Sequence, residues 1–295
     1  MAQGRELLKR IMRETDAVPP MPHVIQKVMS LTQDPKSSSY ELQSLIQLDQ
    51  ALTAAVLKLC NSAYYGLPRN IASVSQAVTY LGFRTIRNLV LSTFLSEVYA
   101  GTVAVVGLSS GGLWEHSVAA AVAAELLCKR LSRPGAGDVA FTCGLLHDVG
   151  KTILCKSAED TQEAILHKMQ EEGRPYVWAE REVLGFDHAV IGAKVVDGWN
   201  FPAPLVQAIG LHHDPAKARG DRFLTQVTHV ANVLAINHGA GIDPQAMVAS
   251  PLCEITLEQL DLSAPDLDAL AAELEGAYQK AAAFLGKDEE EEPAE

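Results

Sequence analysis

The run Arg84-Thr85-Ile86-Arg87-Asn88-Leu89-Val90-Leu91-Ser92-Thr93-Phe94-Leu95-Ser96-Glu97-Val98-Tyr99 sets Ile86, Leu89, Val90, Phe94, Leu95 and Val98 at the three- and four-residue intervals of an amphipathic helix. The same period repeats outward from it. Upstream, Ser73 to Leu81 reads as a helix stopped by Gly82, and Ala51 to Cys60 as another, broken by Asn61-Ser62-Ala63-Tyr64-Tyr65-Gly66-Leu67-Pro68. Leu42, Leu45, Ile46 and Leu48 share one face behind the capping sequence Ser37-Ser38-Ser39. Val24, Ile25, Val28, Met29 and Leu31 mark a helix ending near Asp34-Pro35, and Leu7, Leu8, Ile11 and Met12 mark a first one, Gly4 to Thr15, before Val18-Pro19-Pro20-Met21-Pro22.

Downstream, Gly101 to Gly112 holds four glycines and two serines and reads as a linker dividing the chain into two lobes. An alanine-rich helix, Trp114 to Leu131, follows, then one with Asp138 as its N-cap running to about Lys156. Further helical stretches fall at about Thr161 to Glu172, Val177 to Leu184, Ala189 to Trp199, Pro204 to His212, Arg222 to Gly239 and Asp266 to Leu285. Strand-like alternation is nearly absent. The expected fold class is all-α, a two-lobed multi-helical arrangement.

Composition narrows the function. The 295 residues allow one large or two modest domains, and 48% hydrophobic with 20% charged residues is the balance of a globular chain. The net charge is −12, and six of those negative charges lie in Asp288-Glu289-Glu290-Glu291-Glu292 and Glu295, a tail expected to be disordered. A chain still acidic without that tail lacks the broad positive field that phosphate backbones require, so direct nucleic-acid binding is not expected. The five cysteines, Cys60, Cys128, Cys143, Cys155 and Cys253, are odd in number and contain no C-x-x-C pair, which points to reduced core residues. The N-terminus has no apolar signal segment and no run of about 18 apolar residues occurs, so the expectation is a cytoplasmic protein that does not engage a membrane.

The stretch that carries chemistry is Leu145-Leu146-His147-Asp148-Val149-Gly150-Lys151. A helix burying Leu145 and Leu146 draws His147 and Asp148 inward, where an uncompensated carboxylate costs several kcal/mol. Lys151, three residues on, can supply an ion pair, and a divalent metal would compensate more fully. His116, His188, His212 and His213 also sit in apolar helical settings on separate helices, so their side chains can converge within one bundle. Imidazole and carboxylate ligands suit iron, manganese, nickel or zinc, one or two ions.

At these residues the sequence resembles the HD superfamily of metal-dependent phosphohydrolases, whose motif is a His, a His-Asp doublet and a final Asp. His116 matches the first position, His147-Asp148 the doublet, and Gly150-Lys151 its continuation. His188 and the pair His212-His213 match the extra ligands of two-metal members such as HD-GYP proteins. The final position falls on Asn232, whose amide can coordinate but lacks the charge that helps hold a cation. No Gly-Tyr-Pro follows His212-His213-Asp214-Pro215-Ala216-Lys217, which disfavours an HD-GYP phosphodiesterase.

A longer resemblance is to the HDOD family, the HD-related output domain of bacterial signalling proteins. It is carried by Pro19-Pro20-Met21-Pro22, by Leu57 to Gly66, by Ala77 to Val90, by Phe186 to Gly192, by Trp199-Asn200-Phe201-Pro202 and by His212 to Pro215. It implies an HDOD domain over 18–215: a helical lobe at 18–100, a linker at 101–112 and an HD-like bundle at 113–215. An N-terminal helix at 1–17 precedes it, helices at 216–285 complete the bundle and a tail occupies 286–295. The implied function is a regulatory module acting through a protein partner, with a partly retained metal site of His116, His147, Asp148, His188, His212, His213 and Asn232. The alternative is a metal-dependent hydrolase of phosphoesters or nucleotides in which Asp148 and Lys151 serve catalysis, Lys151 stabilising charge on phosphoryl oxygens. Asn232 weighs against that alternative. The Asn61 to Gly66 motif reads as structural: a cap or turn by Asn61-Ser62, packing by Tyr64, Tyr65 and Leu67, and a left-handed turn at Gly66.

Overall fold

Short polar side chains set where the first helices begin. In the computed structural model, which describes residues 21–32, 36–68, 70–100, 108–109, 111–157, 159–242 and 251–281, α1 is His23–Leu31 and α2 is Ser39–Gln47. Ser38 and Glu41 form a reciprocal cap on α2: the Glu41 N–H donates to Ser38 Oγ at 3.2 Å and the Ser38 N–H donates to Glu41 Oε2 at 2.8 Å. Asp49 caps α3 (Gln50–Cys60) by accepting from the Leu52 N–H. The long α4 (Val74–Ala100) is two helices joined at Gly82, whose φ of 79° and ψ of 169° interrupt the helical path. Between α3 and α4 the Asn61 side chain accepts from the Ile71 N–H at 2.7 Å and donates to the Ile71 carbonyl at 2.8 Å, and Gly66 takes a φ of +55°. These bonds tie the motif's loop to the end of α3, a structural use of the residues.

The described chain falls into two compact units, 21–97 with 275–281, and 98–274. The first is built around Ile25, Val28, Leu42, Ile46, Val56 and Leu89, all buried. The second holds α5 (Gly112–Arg130), α6 (Gly137–Leu146), α7 (Val149–Ser157), α8 (Glu159–Glu172), α9 (Tyr176–Leu184), α10 (His188–Gly198), α11 (Ala203–Gly210), α12 (Phe223–His238) and α13 (Glu254–Leu260). The last helix, α14 (Ala264–Lys280), begins in it. Helix α5 is apolar on all sides from Val118 through Ala124, all buried, and packs against α6 and α12. Its run of alanines permits close helix approach, and each fully buried leucine such as Leu127 contributes roughly 1.5–3 kcal/mol.

The all-helical reading holds: no strand occurs among the described residues, only an isolated bridge between Leu108 and Ile242. Three details differ from the sequence reading. The helix expected to run unbroken to Lys156 is two, α6 and α7, separated at His147-Asp148. It starts at Gly137 after Ala136, so Asp138 is not its cap but an acidic residue in its first turn, where it complements the helix dipole. Helix α13 was not anticipated. The expected helix at Gly4 to Thr15, most of Gly101 to Gly112, the end of the final helix and the acidic tail lie outside the described residues. Cys60, Cys128, Cys143 and Cys155 are buried and in no disulfide, and burial pushes Cys128 and Cys155 up to about 12. No described helix is long and apolar enough to cross a membrane.

Candidate metal centre

Adjacent residues on a continuous helix point about 100° apart, so an unbroken 138–156 helix would not aim His147 and Asp148 at one place. The break solves this. His147 ends α6, Asp148 lies in the turn, and both side chains are buried, at 0% and 1% exposure. Gly150 then brings α7 against the start of α10 backbone to backbone: a Cβ there would stand 2.0 Å from the His188 carbonyl oxygen and 2.6 Å from the Gly192 nitrogen. That approach sets His188 beside Asp148. Helix α5 contributes His116, α12 contributes Asn232, and the turn after α11 contributes His212 and His213.

All seven residues named from the sequence meet, and Lys151 joins them. The Asp148 carboxylate is central. Its Oδ2 lies 3.4 Å from His147 Nε2 and 3.6 Å from His116 Nε2, and its Oδ1 lies 2.9 Å from His188 Nε2 and 3.9 Å from His212 Nε2. Lys151 Nζ donates to Oδ2 at 2.6 Å, the ion pair that the three-residue spacing predicts, and stands 5.1 Å over the Tyr176 ring. His116 Nε2 is 3.3 Å from His147 Nε2 and 3.0 Å from Asn232 Oδ1, and His213 Nε2 is 3.0 Å from His188 Nε2. Two sets result, His116/His147/Asp148 with Asn232, and His188/His212/His213, and one carboxylate oxygen faces each.

Backbone carbonyls fix which nitrogen is free. His147 Nδ1 is 2.7 Å from the Gly144 carbonyl and His212 Nδ1 is 2.7 Å from the Ile209 carbonyl. A carbonyl only accepts, so both Nδ1 atoms carry a proton, and in the neutral rings it is Nε2 that presents its lone pair to the centre. His188 Nδ1 makes the equivalent bond to the carboxylate of Glu180 at 2.5 Å. Electrostatics keep the cluster poised. Burial holds His116 down to about 3, and burial with neighbouring imidazoles holds His212 and His213 well below the ordinary histidine value. Burial opposes charge on His188 too, but Glu180 and Asp148 overcome it and lift His188 to about 9. Asp148 lies well below the usual carboxylate range because His147, Lys151 and His188 outweigh its burial.

The donor set fits a divalent ion. Ligands about 2.1 Å from a shared ion stand roughly 3.0–3.4 Å apart; His116–Asn232, His116–His147, His147–Asp148 and His188–His213 have that spacing, while His116 and His212 stand wider from Asp148, at 3.6 and 3.9 Å. Among the described residues, buried His212 Nε2 has no hydrogen-bond partner, and Asp148 Oδ1 meets His188 Nε2 as an ion pair at 2.9 Å. An acceptor left unmatched in a dry interior, as His212 Nε2 is, is costly and is relieved by a cation.

Two residues of the surroundings were missed. Glu180 sits in Tyr176-Val177-Trp178-Ala179-Glu180-Arg181-Glu182, where its neighbours make it look like a surface charge, yet it is 0% exposed. His229 donates from Nδ1 to the His212 carbonyl at 2.8 Å and accepts the Cys253 N–H at 3.0 Å, bracing the turn that carries His212. The signal available for it was another histidine inside the apolar helix of Asn232. Beside the centre opens a recess of about 330 Å³ lined by Arg174, Trp178, Arg181, His213, His229 and Asn232 among others.

A multi-helical bundle that gathers a lone His, a His-Asp doublet and a residue on a later helix is the kind of core that HD-related domains share. The chain belongs to the HDOD domain family, which matches residues 18–215. An uncharacterized protein of Treponema pallidum (strain Nichols) is 26% identical over 212 residues, 72% of this chain; the chain spans only 40% of that curated relative's length. Among solved structures, an HDOD domain protein with unknown function from Geobacter sulfurreducens superposes with a TM-score of 0.76 at 23% identity, covering 93% of this chain and 96% of the other. A candidate phosphohydrolase from Shewanella amazonensis SB2B gives a TM-score of 0.72 at 24% identity, covering 94% and 97%. At these identities the likeness establishes the shared helical fold.

Proposed function

We propose that this chain is a regulatory signalling module that acts through a protein partner and retains a divalent-metal centre in its HD-like half. The observation that carries the reading is the Asp148 carboxylate, buried with an oxygen toward each of two histidine sets whose free nitrogens face inward. His116, His147, Asp148 and Asn232 would hold one ion and His188, His212 and His213 a second, with Asp148 common to both. Iron, manganese, nickel and zinc all accept this chemistry. A bound divalent ion supplies positive charge and Lewis acidity there, and would link helices that otherwise meet through packing. Asn232 contributes a neutral oxygen, and Lys151 is committed to Asp148, so the chain's own residues are better arranged to hold than to turn over. Elemental analysis of the purified protein should find about one or two ions per chain, fewer in His147→Ala. Metal-free protein of undiminished stability would overturn the metal centre.

A second reading, hydrolysis of a phosphoester or nucleotide, is favoured by the recess at His213 and Asn232, where Arg174 supplies positive charge for a phosphoryl group. Manganese-loaded protein assayed against a panel of phosphoesters and nucleotides separates the two. Turnover lost in His147→Ala supports the hydrolase, and none across the panel supports the module.

A further inference from the structure

We propose that Glu180 is a positioning residue of the centre, the group that fixes His188 as a ligand. The inference rests on the metal reading above and deepens it. Glu180 Oε2 accepts from the His188 backbone N–H at 3.1 Å and from His188 Nδ1 at 2.5 Å. The first bond satisfies a donor that the start of α10 leaves free; the second locks the ring. The oxygen that accepts the backbone N–H also faces Nδ1, so the Nδ1 proton is held on that side and Nε2 faces Asp148 Oδ1 at 2.9 Å and His213 Nε2 at 3.0 Å. Glu180 Oε1 is buried with no hydrogen-bond partner among the described residues. A side chain kept merely to fill space would be apolar, because a buried carboxylate with one unsatisfied oxygen is costly; what it supplies is orientation and electron density to the imidazole.

The next residue completes the arrangement. Arg181 donates from Nε to Asp187 Oδ2 at 2.7 Å and from its guanidinium to Asp214 Oδ2 at 2.8 Å. Asp187 is the cap of α10, preceding His188, and Asp214 follows His213, so α9 holds both chain segments that carry the second histidine set.

The test compares full-length wild type with Glu180→Gln and Glu180→Leu by titration with cobalt(II), read by its visible ligand-field bands, and with zinc(II), read by calorimetry. Gln keeps the size and one acceptor but not the charge. Both variants should bind about 10- to 100-fold more weakly, with an altered cobalt spectrum. Wild-type affinity and an unchanged spectrum in both would overturn the role of Glu180 alone. Wild type that takes up neither ion overturns the metal reading and this inference with it. Should the variants not fold, long-range 1H–15N correlation on zinc-loaded wild type decides: His188 protonated on Nδ1 with Nε2 bound to zinc supports the role, and the opposite tautomer overturns it.

Discussion

Replacing Gly150 by alanine tests the architecture of the centre without touching any of its polar groups. The added methyl would sit 2.0 Å from the His188 carbonyl oxygen and 2.6 Å from the Gly192 nitrogen, both main-chain atoms that no rotamer change can move. Restoring an ordinary contact of 3.4 Å requires α7 and α10 to part by about 1.4 Å. Overpacking of this kind costs roughly 1–3 kcal/mol and more where backbone must move, and Ala returns less than about 1 kcal/mol by restricting the unfolded chain. A net loss of ~3 kcal/mol lowers the melting temperature of a unit this size by about 6–12 °C. The same displacement carries His188 away from Asp148, so zinc(II) affinity should fall with stability, although no donor is lost. Thermal melts followed by circular dichroism in chelator, paired with zinc calorimetry, give both numbers. A Gly150→Ala protein melting within about 1 °C of wild type with unchanged affinity would refute the close approach and the placement of His188 that depends on it.

Lys151→Met should destabilise the metal-free protein by about 3 kcal/mol, because it strips the cation from a carboxylate that is 1% exposed, and manganese should narrow the gap; equal urea midpoints in chelator would contradict this. Asp266 is held below the usual carboxylate range by hydrogen bonds from Arg130 and Ser263. A depressed folded-state value means this contribution to stability is present above the ordinary aspartate pKa, about 4, and is lost as pH falls through the lower folded value. Asp266→Asn should therefore flatten part of the acid limb of stability against pH below about 5, measured by urea unfolding, and leave the curve near neutrality with the same slope.

The all-helical class was legible because helical periodicity is plain in the first unit: Ile86, Leu89, Val90 and Leu95 are all buried, and Gly82 interrupts the chain where the stripe changes. The residues of the centre were legible as well, since histidines and an Asp within apolar runs signal either pairing or a ligand role, and the structure gathers His116, His147, Asp148, His188, His212, His213 and Asn232 at one place. The break at His147-Asp148 was not. Leu145, Leu146, Val149, Ile153 and Leu154 are all buried, so the apolar pattern runs across the interruption unchanged, and the break accompanies the approach of Gly150 to α10, a contact between segments distant in sequence. Glu180 was hidden for a related reason. Arg181 and Glu182 follow it directly, and the approach of His188 from the next helix makes its burial tolerable.

The division of Asp148, one oxygen toward each histidine set, leaves neither set electrically self-sufficient. A change in charge on one side alters the share of negative potential left for the other, so titrations of the pair are expected to be stepwise rather than independent. Substituting Asp148 would then read as a loss of communication as much as a loss of binding.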